Sequence, residues 1–227
     1  MADTFDLRNI GVIDDYEKDI GYIRRTIKTI AQQLGIREKY GFKNYQLVDD
    51  EKKLINQVIE EVIADIKGYN ITCLIIDYKI MIETVKMEGT DILKAIQGCV
   101  PKFPVVILTG VVDESKEKDF VDADKVYTKK EFFKMEEYSK EKVGNIFDSM
   151  QKYVKQRDIL SGKMREYQEK IDTDALNVEM LREIDQVERQ LGEFTPVESL
   201  QNDLILDEDR LKTIVELIDK ANRMCDE

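Results

Sequence analysis

The sequence predicts a five-stranded, doubly wound parallel α/β sheet followed by an all-helical or coiled-coil region. Over the first two-thirds of the chain, short apolar runs alternate with amphipathic helical patterns, as in βαβ units with helices on both faces of a sheet. After about Phe133 no strand-like run follows, and apolar residues recur at spacings of three and four. We therefore expect two regions, 1–147 and 148–227, with the boundary inside a continuous helix near Asp148.

The first part of the pattern gives two strands and two helices. A short apolar run predicts a strand at 9–15, and a second strand is expected at 44–50, after a long loop at 35–44. Helices are predicted at 19–34 and 51–66, because their apolar residues lie three or four apart. These residues are Ile20, Ile23, Ile27, Ile30 and Leu34 in the first helix, and Leu54, Val58, Val62 and Ile66 in the second.

Three more strands complete the predicted sheet. The run ITCLIID at 71–77 contains four consecutive apolar residues, Cys73 to Ile76, directly before Asp77, which predicts a buried strand. A helix is expected to begin at 89–96, and FPVVILTG predicts the fourth strand at 103–110. KVYTK at 125–129 is short but contains β-branched and aromatic residues, so it is taken as the fifth strand.

The last third is predicted to be helical throughout. A heptad-like seam extends over 146–171, although Arg157 interrupts it. Its members are Met150, Tyr153, Arg157, Leu160, Met164, Tyr167 and Ile171. A second helix is expected over 180–194, and a capping box with proline at 195–198 precedes a last helix at 207–221. The seam is compatible both with a helical hairpin inside one chain and with a homodimer.

Composition narrows the function classes. The formal net charge of −12 argues against bulk nucleic-acid binding and against an anionic membrane surface. With no histidine and three scattered cysteines, neither a zinc site nor histidine-based acid–base catalysis is expected. No apolar run approaches the ~20 residues of a membrane span, and the N-terminus lacks the apolar core of a secretion signal. We therefore expect a cytoplasmic protein.

Chemically useful side chains stand at the carboxyl ends of successive predicted strands. Asp14 and Asp15 end the first strand, Asp77 the third, Thr109 the fourth and Lys129 the fifth. This edge is where open α/β sheets bind ligands. Each residue alone has an ordinary explanation, such as a helix cap or a surface lysine, but their joint position suggests one site. Clustered carboxylates favour Mg²⁺, Asp77 can act as a nucleophile toward phosphorus, and Lys129 and Thr109 can stabilise a phosphoryl group.

On these residues, the segment from about 9 to 147 resembles the receiver domain of response regulators in two-component and phosphorelay systems. The segment MEGTDILKAI also looks like the start of that family's third helix. The resemblance implies a flavodoxin-like fold in which Asp77 accepts the phosphoryl group and Lys129 and Thr109 assist. It further implies that Asp15, Asp77 and the backbone carbonyl of Lys79 bind Mg²⁺, with Asp14 acting through water.

The chain departs from the family pattern at two places. Ile80-Met81-Ile82 replaces the usual Met-Pro, and the loop between Asp77 and Gly89 is longer than usual. Lys129-Lys130 replaces Lys-Pro. If Lys129 is the site lysine, the position of the family's aromatic switch holds Val126; if Lys130 is, that position holds Tyr127.

The resemblance implies a signalling protein rather than an enzyme, beyond catalysing its own phosphotransfer and dephosphorylation. The expected phosphoryl source is a histidine kinase or a histidine phosphotransfer protein. The helical region would dimerise or dock an unknown protein effector, without binding nucleic acid. A pseudo-receiver that serves as a constitutive scaffold is the alternative. A Mg²⁺-dependent phosphohydrolase is disfavoured, because Lys79 stands where such enzymes often have a second acid.

Overall fold

The structure is a computed structural model in which the described residues are 6–47, 51–82, 85–110, 123–171 and 177–196. The helix predicted at 207–221 lies outside them, as does part of the capping box predicted at 195–198. In chain order the elements are β1 (Asp6–Ile13), α1 (Glu17–Gln33), β2 (Lys39–Asn44), α2 (Glu51–Lys67), β3 (Ile71–Asp77), β4 (Lys79–Ile82), β5 (Val85–Glu88), α3 (Gly89–Cys99), β6 (Val105–Thr109), β7 (Val126–Thr128), α4 (Lys129–Phe132), α5 (Glu137–Ile171) and α6 (Val178–Gly192).

Five strands form one parallel sheet in the order β2-β1-β3-β6-β7. Counting only these strands, the order is 2-1-3-4-5, which is the flavodoxin-like arrangement of doubly wound folds. In this order the chain reverses direction across the sheet between β1 and β3, so a crevice opens at their carboxyl ends. The predicted fold class is confirmed.

Helices cover both faces of the sheet. β3 is buried along its whole length, which explains why its sequence has the apolar run Cys73 to Ile76 rather than an alternation of apolar and polar residues. On one face, α1 and the first part of α5 pack against side chains of β1, β3, β6 and β7. On the other face, α2 and α3 contact β3 and each other. The strands are therefore held rigidly where their carboxyl ends emerge.

Two predictions about the segments around β1 and β3 were wrong. The second strand is Lys39–Asn44, inside the predicted loop at 35–44, and it pairs in parallel with β1 as an edge strand of the sheet. Of the strand predicted at 44–50, residues 48–50 lie outside the described residues. The segment after Asp77 is not an extended loop but the antiparallel hairpin β4–β5, in which Lys79 pairs with Glu88 and Met81 with Lys86. The hairpin places ordered backbone beside the carboxyl end of β3.

The chain divides into two compact units, Met1–Lys155 and Gln156–Glu227, and the continuous 35-residue helix α5 spans the division. In the second unit, the Tyr167 hydroxyl donates a hydrogen bond to Glu183 on α6 over 2.9 Å. Asn177 caps α6 by accepting a hydrogen bond from the Met180 amide. Whether the functional regions divide at 147 stays a prediction. No helix in the described ranges combines the length and apolarity needed to cross a membrane.

Candidate functional site

The residues predicted for the site stand where the strands of the sheet end. Asp14 and Asp15 follow β1 directly, and Asp77 is the last residue of β3. Thr109 is the last residue of β6, and Lys129 follows β7 as the first residue of α4. Because all the strands are parallel, these positions share the carboxyl edge of the sheet.

Three carboxylates approach one another at this edge. One oxygen each of Asp14, Asp15 and Asp77 lies within 4.8 Å of the other two. Asp14 and Asp77 are buried, with 4% and 8% of their surface exposed, whereas Asp15 is exposed. Three hard oxygen ligands at this spacing fit a divalent cation such as Mg²⁺, which binds proteins through a few carboxylates and keeps several waters. The cluster therefore has the donor set for a metal ion.

Among the residues that the structure describes, Lys129 places an ammonium group within the cluster. Its Nζ lies 2.8 Å from Asp14 Oδ2 and 2.9 Å from Asp77 Oδ1. It also lies 2.8 Å from Asp19 Oδ2, in the first turn of α1. Of the two adjacent lysines, Lys129 thus makes the ion pairs, while Lys130 is exposed. Sequence reasoning missed Asp19, because an acid in a first helical turn is already explained by the helix dipole.

The electrostatic environment raises the pKa of both buried carboxyls. Burial raises the pKa of Asp77 to about 6; Lys129 opposes this shift, and the charges of Asp14 and Asp15 add to it. Burial likewise raises the pKa of Asp14 above its ordinary value, against the hydrogen bond from Lys129. One ammonium does not balance this group of acids, so a divalent cation would relieve the remaining repulsion.

The pKa of Lys129 shows the opposite balance. Burial favours its neutral form, but the hydrogen bonds to Asp14 and Asp19 and the charge of Asp77 outweigh burial and raise the pKa. The side chain therefore stays an ammonium throughout the physiological range. A fixed positive charge beside Asp77 suits the binding of an anionic group.

Backbone amides orient the two acids that follow β1. Asp14 Oδ1 accepts a hydrogen bond from the Tyr16 amide over 2.9 Å. Asp15 Oδ2 accepts one from the Met81 amide over 3.0 Å, which ties the exposed carboxylate to the β4–β5 hairpin. Such outer contacts fix the direction in which a ligating carboxylate presents its oxygens. The hairpin is thus part of the site, a contribution that the sequence did not reveal.

Thr109 and Lys79 occupy different surroundings. Thr109 is 1% exposed and ends the strand beside Asp77, because Asp77 pairs in register with Leu108. Lys79 opens β4 two residues after Asp77, and its side chain is exposed, with Nζ 6.0 Å from the Tyr78 ring centre. The assistance of Thr109 and the carbonyl ligation by Lys79 stay predictions.

Gly89 lets helix α3 start directly against the carboxyl end of β3. A Cβ atom at Gly89 would collide with the backbone oxygen of Asp77. The backbone amide of Gly89 donates a 2.7 Å hydrogen bond to the Tyr78 carbonyl. The glycine in MEGTDILKAI therefore has a steric reason: only a residue without Cβ fits there. The contact fixes the backbone that carries Asp77.

Since Lys129 is the lysine in the cluster, the position three residues before it holds Val126, which is buried in β7. Tyr127 is also buried; its ring stacks on Phe132 at 6.3 Å between centres. Lys142 Nζ lies 5.3 Å from the Tyr127 ring centre. Tyr127 is thus placed as a packing residue of the sheet and α4.

No protein-family model matches this chain, and a search of curated proteins found no similar sequence.

Proposed function

We propose that this chain is a receiver-like signalling protein that accepts a phosphoryl group on Asp77 in a Mg²⁺-dependent reaction. The observation that carries the proposal is the contact of Lys129 Nζ with both Asp77 and Asp14, beside the exposed carboxylate of Asp15. Asp77 would be the nucleophile, Lys129 supplies a fixed positive charge, and Asp14 and Asp15 would help to bind a cation. All of them lie at the carboxyl edge of a parallel sheet.

In the proposed reaction, one carboxylate oxygen of Asp77 attacks phosphorus. The new Asp77 O–P bond forms as the bond from phosphorus to the donor's leaving group breaks, and the leaving group takes the bonding electron pair. Lys129 donates a hydrogen bond to a phosphoryl oxygen, and Thr109 is proposed to do the same through its hydroxyl. Asp14, Asp15 and Asp77 would hold a divalent cation, which supplies positive charge to the phosphoryl oxygens.

The proposed phosphoryl source is a histidine kinase or a histidine phosphotransfer protein. The helical region from 148 onward is proposed to report the state of the site, either by homodimerisation or by docking a protein effector. Amphipathic helices support this role, and one of them, α6, buries Met180 and Val187. We propose a cytoplasmic location and no nucleic-acid partner, in keeping with the acidic balance of the chain.

The test is intact-mass measurement after incubation with acetyl phosphate and Mg²⁺. We expect one phosphoryl adduct on the wild type and none on Asp77→Asn, which keeps the shape of the side chain but removes the nucleophile. Omission of Mg²⁺ or addition of EDTA should also abolish the adduct. An adduct that persists in Asp77→Asn, or no adduct on the folded wild type, would overturn the assignment.

A pseudo-receiver scaffold is the second candidate. Two observations favour it: Val126 occupies the position of the family's aromatic switch, and the β4–β5 hairpin replaces the usual loop after Asp77. It predicts the same molar mass by light scattering and the same amide hydrogen exchange before and after treatment with acetyl phosphate. A change in either property that depends on Asp77 would contradict it.

A further inference from the structure

In the part of the chain that the structure describes, Lys129 forms ion pairs with three carboxylates. Its Nζ lies 2.8 Å from Asp14 Oδ2, 2.8 Å from Asp19 Oδ2 and 2.9 Å from Asp77 Oδ1. A lysine ammonium has three hydrogens to donate. Each hydrogen therefore already has one carboxylate oxygen within hydrogen-bonding distance. A phosphoryl oxygen that arrives at Asp77 therefore competes with the three present acceptors for the hydrogens of Lys129.

The three acceptors differ in how firmly they are held. The side chain of Asp14 is 0% exposed, and its second oxygen already accepts the Tyr16 amide. Asp77 is the residue that becomes modified, and it is fixed at the end of the central strand β3. Asp19 is 20% exposed and lies in the first turn of α1, where water can solvate a displaced carboxylate. Asp19 is the acceptor that Lys129 can exchange most readily.

We propose that Asp19 is a positioning residue that occupies, in the unmodified protein, the Lys129 hydrogen required by the phosphoryl group, and that it thereby slows phosphorylation of Asp77. This inference rests on the proposed function. In the transfer from acetyl phosphate, the Asp77 O–P bond forms and the P–O bond to acetate breaks, with the electron pair leaving on acetate. Lys129 keeps its proton and exchanges Asp19 for a phosphoryl oxygen, while Asp19 gains water.

The negative charge of Asp19 is also expected to slow phosphorylation, in addition to its occupation of a Lys129 hydrogen. The charge of Asp19 offsets part of the Lys129 charge and repels an incoming phosphate anion at short range. Removal of that charge should therefore both release one donor and improve attraction of the anion. Because the ion pair is partly exposed, we expect a moderate gain in rate rather than one of several orders of magnitude.

The experiment measures the rate of adduct formation by intact mass at fixed acetyl phosphate and Mg²⁺ concentrations. We expect Asp19→Asn to be labelled about fivefold faster than the wild type, which corresponds to ~1 kcal/mol of barrier. Asp19→Glu restores the carboxylate and should return the rate toward that of the wild type. Glu17→Gln removes the same charge from the same helical turn at an exposed position and should leave the rate unchanged.

The outcomes separate this inference from the proposed function. If the wild type is labelled on Asp77 but Asp19→Asn reacts at the same rate or more slowly, the role of Asp19 is refuted and the proposed function stands. Equal acceleration in Glu17→Gln also refutes it, because net charge would then explain the effect. Failure to label the folded wild type overturns both. Circular dichroism verifies folding, and Asp19→Ser replaces Asp19→Asn if the latter is unfolded.

Discussion

The Asp77 carboxyl group is removed from water and faces other carboxylates, and both conditions favour its protonated form. Its pKa is raised from the ordinary 3.8 to about 6, even though Lys129 contacts it at 2.9 Å. The single ammonium is shared with Asp14 and Asp19, so it does not compensate Asp77 fully. The Asp77 carboxyl group is therefore held in an environment that disfavours its anionic form.

This shift predicts a pH-dependent effect of Asp77→Asn on stability. Between about pH 4 and pH 6 the folded protein holds a proton on Asp77 that the unfolded chain has lost, so the free energy of unfolding falls as pH rises through this window. Asn removes the contribution of Asp77 to this dependence and leaves that of Asp14. In EDTA at pH 7, we expect the variant to be more stable than the wild type by on the order of 2 kcal/mol, with the difference disappearing toward pH 4.

Urea denaturation of both proteins at several pH values measures this difference. Asp148→Asn removes one charge at an exposed position of α5 and serves as the control for net charge. A difference between wild type and Asp77→Asn that does not vary with pH would show that the Asp77 carboxyl is not destabilised by its surroundings.

At the scale of elements, sequence reasoning succeeded where both faces of a strand are buried. The run ITCLIID is mostly apolar because helices cover β3 on both sides, and its predicted bounds agree with Ile71–Asp77. β2 was misplaced because KYGFKN is an edge strand of partly exposed residues with no apolar run. In the hairpin, Ile80 is buried between the exposed Lys79 and Met81, an alternation too short to identify a strand.

The same limits apply to the site. The sequence placed five side chains at one edge of the sheet, because the carboxyl ends of parallel strands converge there. These residues are Asp14, Asp15, Asp77, Thr109 and Lys129. Neither Asp19 nor the Met81 amide stands at the end of a strand of the main sheet. Their approach to the cluster depends on the first turn of a helix and on an antiparallel hairpin, whose geometry the apolar pattern does not encode.

The junction between β5 and α3 allows a matched pair of glycine substitutions. Gly89→Ala should lower the free energy of unfolding by about 1–3 kcal/mol, because its Cβ would meet the Asp77 backbone oxygen and a methyl group of Ile76. Gly98 lies in the same helix, and a Cβ atom there would have no neighbour within 4 Å. Gly98→Ala should therefore raise the free energy of unfolding by about 0.5–1 kcal/mol. Urea denaturation compares the two, and equal effects would contradict the close approach at Gly89.

At the scale of the whole molecule, the first compact unit extends to Lys155, beyond the boundary predicted from the sequence. Residues after 147 contribute buried side chains, since Met150, Tyr153 and Val154 are each at most 3% exposed. Tyr153 packs edge-to-face on Phe103 in the segment before β6, with 5.3 Å between ring centres. The first turns of α5 after 147 therefore belong to the core of this unit.

Shortened chains test this boundary. A chain of residues 1–155 should unfold cooperatively, whereas a chain of residues 1–147 should be less stable by roughly 5 kcal/mol, because it lacks three buried side chains. Urea denaturation followed by circular dichroism measures both. Equal stabilities would show that residues 148–155 are not needed to stabilise the first unit, and that the packing of Tyr153 on Phe103 adds little.

The hairpin also bears on the order in which the protein folds. β4 and β5 pair within ten residues of sequence, whereas β1 pairs in parallel with β3 across about sixty. Local hairpins form within microseconds, while distant parallel pairs must first overcome the entropy of loop closure. We therefore expect the amide that holds Asp15 to be in place early in folding, and the acidic cluster to assemble only when β1 docks beside β3. On this order, repulsion among its carboxylates arises at a late step of folding.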